Sequence, residues 1–172
     1  MSSQTRLEGD VHVAGSLSAY ALTPPASCVT DNAVAAAADI AATKLEHQNN
    51  YVYAQESGTT AADDNRVAAV IYGATGSIIA FHASSVVKCA GDSTVTIDLC
   101  KQSGTATSAT SILSAAITLN SSSTTYSHVA GTISTATLVA GDKLEIKIDA
   151  TVGTGTLAKG VFARVITRED PA

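Results

Sequence analysis

The sequence contains no tryptophan, one methionine and two phenylalanines, and aromatic residues make up 4% of a chain that is 45% hydrophobic. Its apolar share therefore comes from Ala, Val, Ile and Leu, side chains of modest volume that suit a thin β-sandwich better than the walls of a large enzyme cleft. Basic residues are scarce as well. Ten Lys and Arg face fifteen Asp and Glu, the formal net charge is −5, and no two basic residues adjoin. Phosphate binding draws on clustered cations, so this balance argues against a nucleic-acid partner. No stretch approaches the roughly 20 apolar residues of a membrane span, and the opening Met-Ser-Ser-Gln-Thr-Arg lacks the apolar core of a secretory signal. A soluble chain without a membrane partner is the expectation. Cys28, Cys89 and Cys100 cannot all pair with one another and form no CxxC. They read as small hydrophobes in a reducing cytoplasm, Cys89 on the inward phase of its strand.

At 172 residues the chain has room for one ordinary domain and an extension. The text divides accordingly, residues 1–49 as an extended arm and 50–172 as a β domain. In the arm, Val11, Val13, Leu17 and Leu22 alternate weakly around the turn signals Gly9-Asp10 and Gly15-Ser16, which suggests two very short strands. Pro24-Pro25 stiffens the chain that follows. Thr30 or Asp31 can cap a short helix over Ala33 to Ala38, and Thr43 a second helical turn through Lys44 to Gln48. So little bulky apolar content cannot offset its own ordering entropy, so this segment needs a partner.

Beyond Asn50 the pattern becomes that of strands. Tyr51-Val52-Tyr53 alternates weakly, and the polar stretch Glu56 to Asn65 reads as an exposed connection. Arg66 to Tyr72 is apolar on both phases, as expected of a strand covered on both faces, the second cover being another subunit. Further strands are expected at Gly76 to Ala90, Thr94 to Leu99, Ile112 to Leu119, Thr124 to Val129, Ile133 to Val139, Lys143 to Val152 and Val161 to Arg168. Turns fall between them at Gly91-Asp92, Gly131, Gly141-Asp142 and Gly153-Thr154-Gly155. The spacing is that of an all-β, antiparallel sandwich. Ala90-Gly91-Asp92 and Ala140-Gly141-Asp142 share a turn device, but the inward residues that follow, Val95, Ile97 and Leu99 against Leu144, Ile146 and Ile148, are out of phase by one.

Residues able to do chemistry are present without forming a known constellation. His12, His47, His82 and His128 have no metal-ligand spacing. Asp63-Asp64-Asn65 could offer oxygens to Ca²⁺ but lacks the spacing of a calcium loop, and reads as a solvated loop. Gly73-Ala74-Thr75-Gly76 and Gly153-Thr154-Gly155-Thr156 have the glycine density of phosphate loops, but neither matches a phosphate-binding motif or opens a helix. No catalytic residues, metal ligands or cofactor are assigned.

Two blocks carry a family resemblance. Gly9-Asp10-Val11-His12-Val13-Ala14-Gly15-Ser16-Leu17, Pro24-Pro25 and Ala38-Asp39-Ile40-Ala41-Ala42-Thr43-Lys44-Leu45-Glu46-His47-Gln48 resemble the start of structural proteins of tailed bacteriophages. Leu138-Val139-Ala140-Gly141-Asp142-Lys143-Leu144-Glu145-Ile146, the Gly153 to Gly155 turn and a last strand at Val161 to Ile166 are similar to the closing strands of viral jelly rolls. The resemblance implies a capsid decoration, or cement, protein: an antiparallel jelly-roll β-sandwich behind an N-terminal arm, not an enzyme, located on the virion surface and made in the host cytoplasm. Its implied partners are the major capsid protein and further copies of itself, as a homotrimer. Val11, Val13, Leu17 and Leu22 would anchor the arm, Lys44, Leu45 and Glu46 would add contacts, and Val67 and Ile71 would pack between subunits. Phage fibres open with similar phrases, so a head or tail fibre module binding a host-surface glycan is the alternative, with Tyr126 and Tyr72 as its best-placed aromatics. A hydrolase of surface polysaccharide is a third.

Overall fold

The computed structural model describes residues 47–72 and 75–169, and the chain divides into two units, Met1–Asp39 and Ile40–Ala172. All regular structure among the described residues is β. The long strands are β1 (His47–Ala54), β2 (Asp64–Val70), β3 (Gly76–Val87), β4 (Thr94–Gln102), β9 (Lys143–Thr151) and β10 (Lys159–Glu169). Between β4 and β9 lie the short β5 (Thr110–Ser111), β6 (Ile117–Leu119), β7 (Val129–Ala130) and β8 (Thr137–Leu138).

Two antiparallel sheets result. One has the order β1-β10-β3-β7 with β8 also on β3, the other β2-β9-β4-β5 with β6 also on β4. β5 and β6 pair with successive lengths of β4, and β7 and β8 with different lengths of β3, so ten strands fill eight positions. Each of the first four strands lies in the sheet opposite its predecessor, and the terminal pair β1 and β10 are neighbours. This order is the double Greek key of a jelly roll.

The core follows from period-two alternation. Val95, Ile97 and Leu99 of β4, Leu144, Ile146 and Ile148 of β9, and Val161, Ala163 and Val165 of β10 are all buried, as are Ile78 and Phe81 of β3. Both inward sets expected from the sequence are therefore found, and β4 and β9 pair directly, Ile97 opposite Ile148 and Leu99 opposite Ile146. The two turns are alike, Gly91 (φ 62°) and Gly141 (φ 85°) adopting the left-handed conformation that glycine takes without strain, and the phase difference arises after them, since β4 begins two residues past Asp92 and β9 one residue past Asp142.

Several expectations are corrected. The helical turn expected through Gln48 is not formed at His47 and Gln48, which open β1 opposite Glu169 and Arg168. Eight consecutive pairs with β10 override the weak strand preference of Asn49-Asn50. The exposed connection ends earlier than expected, because Asp64 and Asn65 already belong to β2. The strands expected over Thr124 to Val129 and Ile133 to Val139 shrink to two residues each. In their place Ser123 N donates to the Asn120 carbonyl (3.1 Å), Ser127 N to that of Thr124 (3.2 Å), and Tyr126 sits at φ 59°. Ser, Thr and Asn side chains compete with the ladder for these backbone groups, and the Asn120 carboxamide accepts from Ser122 N at 2.9 Å. The expected arm strands, the helix over Ala33 to Ala38, His12 and Cys28 lie outside the described residues.

Candidate functional site

β2 is an edge strand, and its register shifts between Val67 and Ala69. The bulge turns Val67 outward, 54% exposed, while Ala69 and Ile71 turn into the core. Within one chain the strand is therefore covered on one face. Of the two body residues expected at a subunit contact, Val67 is on the surface, whereas Ile71 is fully buried by its own chain. Val11, Val13, Leu17, Leu22, Lys44, Leu45 and Glu46 lie outside the described residues.

At this edge the gap between the sheets is closed by polar groups. The Tyr53 hydroxyl of β1 donates to Asp64 Oδ2 of β2 at 2.8 Å, Arg66 Nε donates to the same oxygen at 3.0 Å, and the Arg66 guanidinium lies 5.8 Å from the Tyr53 ring centroid. The hydrogen bond from Tyr53 is the main cause that lowers the Asp64 carboxyl, while burial, then Asp64, raises the Tyr53 hydroxyl. Charges turned into the opening of a sandwich also discourage indiscriminate strand addition. Asp63 is engaged too, its Oδ1 accepting from Ala150 N at 2.7 Å. Asp64 thus fastens sheet to sheet and Asp63 fastens the start of β2 to its neighbour β9, and among the described residues no group of three or more His, Cys, Asp and Glu could hold a metal ion.

The Gly153-Thr154-Gly155 loop is similarly committed. Asp92 Oδ1 accepts from both the backbone N–H and the hydroxyl of Thr154, which holds the Asp92 carboxyl below its usual range, and Ser93 Oγ accepts from Gly153 N at 3.0 Å. The N–H groups a phosphate would need at Gly153 and Thr154 are already bonded.

The two sheets present unlike outer faces. Outward positions of β4 and β9 carry Thr94, Thr96, Asp98, Glu145, Lys147 and Asp149, a mixed-charge surface with an open depression of about 530 Å³. Ser111 Oγ donates to Asp98 Oδ1 there at 2.8 Å, and Cys100 Sγ is 3.7 Å from Asp98 Oδ2. Burial, reinforced by Asp98, pushes the Cys100 thiol up to about 11, so it is protonated at neutral pH and is a poor nucleophile. Ser111 has a carboxylate beside it and, among the described residues, no imidazole to take its proton.

The outer face of the β1-β10-β3-β7 sheet differs. Its outward positions are Asn50, Val52 and Ala54 on β1, Phe162, Arg164 and Ile166 on β10, and Ala80 and His82 on β3, brought together by the pairs Val52–Arg164, Arg164–His82 and Ile166–Ala80, while Ser84, next along β3, is fully buried. The His128 ring stands edge-on to Phe162 (5.6 Å between centroids) and to His82 (6.1 Å). Val52 is 62% and Ile79 46% exposed. The sequence reading missed this face, since its members come from four separated segments, and only strand order assembles them. Its only local signal was unbroken apolarity, as at Ile78-Ile79-Ala80-Phe81.

No family model matches the chain, and no curated protein matches it. Among solved structures it is similar to one of infectious bursal disease virus, Gt strain, at 14% identity and TM-score 0.24, over 74% of this chain and 38% of that one. A likeness this distant carries no argument about what the chain does.

Proposed function

We propose that this protein is a structural component of a virion, binding and stabilising an assembled phage capsid as a symmetric oligomer, a trimer by the resemblance of its N-terminal block. The observation that carries the reading is the use of the body's polar groups. Asp63, Asp64, Asp92 and the Gly153–Gly155 loop fasten sheets and turns of a jelly roll to one another, which suits a rigid platform. The fold adds only analogy, since jelly rolls also serve lectins and cupins. The working segment in this reading is the arm ahead of β1, with Val11, Val13, Leu17 and Leu22 as apolar anchors and Lys44, Leu45 and Glu46 as further contacts. Arms linked through an oligomeric body bind at high effective concentration, so modest contacts sum to a stable clamp.

Co-sedimentation with emptied capsids tests it. The full chain is expected to pellet at a fixed copy number, and a chain lacking residues 1–46, which keeps β1 whole, is expected to stay in the supernatant. Undiminished binding by the truncated chain defeats the arm's role. A second reading, glycan adhesion, is favoured by the exposure of Tyr72 (80%) and Tyr126 (64%). Binding of the full chain on a glycan array, lost on Tyr126→Ala, decides for it.

A further inference from the structure

We propose that the depression on the outer face of β4 and β9 is a binding site for an uncharged sugar, with room beside it for the next residue of a glycan chain. The proposal goes beyond the capsid reading, does not rest on it, and uses neither Tyr72 nor Tyr126.

Strand register builds the hollow. Asn65, Lys147 and Asp98 form one cross-strand row over β2, β9 and β4, and Glu145, Cys100 and Ser111 form the next over β9, β4 and β5. Cys100, a short side chain flanked by Asp98, Gln102 and Glu145, is outward by phase yet 7% exposed, and it forms the floor. Beyond it Gln102 and the loop at residues 107–109 make the far wall of a depression of about 530 Å³, a volume within the range of small-molecule sites. The walls are held before any ligand arrives. Asp98 Oδ1 accepts from Ser111 Oγ at 2.8 Å, and Gln102 Nε2 donates to the Ala106 carbonyl at 2.5 Å, which ties the loop to the strand beneath it. A fixed rim lowers the entropic cost of binding. Two groups remain open to a ligand: among the described residues the side chains of Asn65 and Glu145 have no hydrogen-bond partner.

The lining selects the class of ligand. A sugar hydroxyl both donates and accepts, and the depression offers carboxylates that accept, carboxamides that do both, and the hydroxyls of Thr107, Ser108 and Ser111. An apolar ligand would leave these groups unpaired. An anion meets Asp98 and Glu145, while the one lining ammonium, Lys147, is already paired with Asp149 at 3.0 Å. A metal ion lacks a set of three ligands among the described residues. An uncharged polyol is the class these groups complement. A second depression of about 270 Å³ shares Asn65 and Lys147 with the first and continues to Asp63 and Asp149, so two consecutive sugar residues can lie along the sheet. No aromatic ring lines either hollow. Affinity then rests on hydrogen bonds alone and is expected in the millimolar range.

The test is saturation-transfer NMR on the full chain with the methyl glycosides of glucose, galactose, mannose and N-acetylglucosamine, each up to tens of millimolar. Methyl glucuronide and methyl glucosaminide serve as the anionic and cationic comparisons. At least one neutral glycoside is expected to bind, and Glu145→Ala and Asn65→Ala are each expected to weaken it about tenfold, the loss of one hydrogen bond at a polar site. Neither residue is buried, so both variants are expected to keep the wild-type circular dichroism. Thr96→Ala, on the same strand but outside the depression, is expected to leave binding unchanged. The glucuronide is expected to bind more weakly than its neutral counterpart, and Glu145→Gln to narrow that gap. No transfer to any neutral glycoside, or binding that survives both alanine substitutions, overturns the proposal. So does loss of binding on Tyr126→Ala, which places the sugar on the aromatic surface. A glucuronide that binds as tightly as the neutral sugar overturns it too, as does a glucosaminide that binds more tightly than all four, which makes the depression a cation site. Co-sedimentation with capsids is read separately, and its outcome leaves this one unaffected.

Discussion

The Tyr53 hydroxyl on the edge of one sheet donates to Asp64 Oδ2 on the edge of the other at 2.8 Å, and the bond ties the two free edges of the sandwich together. Tyr53→Phe removes it and leaves Asp64 with Arg66 alone. A hydrogen bond to a charged acceptor in a partly buried setting contributes about 1.5 kcal/mol, and urea unfolding is expected to show a loss of that order. Because the hydroxyl's folded pKa is raised, chiefly by burial, this contribution is fully present below the unfolded value near 10 and is lost as pH rises through the folded pKa. The gap between wild type and Tyr53→Phe is thus expected to be constant at neutral pH and to close in alkali. A gap unchanged up to full ionisation of the tyrosines would place the stabilisation elsewhere than in this proton.

The far end of the sandwich is held differently. Lys101 follows the inward phase of β4, where its Nζ donates to the Thr137 carbonyl at 3.0 Å and lies 3.5 Å from Asp142 Oδ2. Asp142 is fully buried and its Oδ2 also accepts from Val139 N at 3.0 Å. Asp142→Ala strands the Val139 amide and leaves the Lys101 ammonium with the Thr137 carbonyl alone, at an expected cost on the order of 3 kcal/mol. Lys101→Met, which keeps the aliphatic stem, is expected to cost less, and the double variant less than the sum of the two. Additive single-variant losses in a denaturation cycle contradict the pairing.

Gly155 has no room for a side chain, since a methyl group there would overlap the Ala90 carbonyl in the Gly91-Asp92 turn. Gly155→Ala is therefore expected to destabilise by roughly 1–3 kcal/mol through overpacking. Gly104→Ala, with open space around it, carries only the strain of φ 40° and is expected to cost less. Thermal melts of the two variants should rank them in that order, and equal losses would show that backbone conformation rather than contact governs the loop.

The parts of this fold legible in the sequence are those in which one strand carries its own signal. Val95-x-Ile97-x-Leu99 and Leu144-x-Ile146-x-Ile148 announce their inward faces through period two, and Gly91-Asp92 and Gly141-Asp142 announce turns. What depends on a distant partner was hidden. The Asn49-Asn50 stretch of β1 is a strand because β10, more than a hundred residues later, pairs with it. The Ser/Thr-rich segment from Asn120 to Thr137 looked like strands because hydroxyl residues suit solvent-facing β positions, yet the same hydroxyls satisfy turns. Val67 carried the strand's apparent phase, and a bulge one residue long reversed it. The outer face of the β1-β10-β3-β7 sheet is the extreme case, for Val52, His82, Phe162 and Ile166 become neighbours only through the jelly-roll order.

Cysteine reactivity separates burial from chemistry. Cys89 is 1% exposed and its Sγ lies 3.5 Å from the Leu119 carbonyl, while Cys100, 7% exposed, has a thiol pushed up to about 11 by burial and by Asp98. At pH 8 such a thiol is thiolate to roughly one part in a thousand, and the thiolate is the species that reacts. Treatment of the native full chain with iodoacetamide, followed by peptide mass spectrometry, is expected to leave both positions unmodified under conditions that label them completely in urea. Asp98→Asn removes the carboxylate that raises the thiol and is expected to speed labelling at Cys100 without affecting Cys89. Rapid native labelling at Cys100 would mean that the outer face of β4 opens readily, and the depression around Asp98 would then merit testing as a thiol-dependent site.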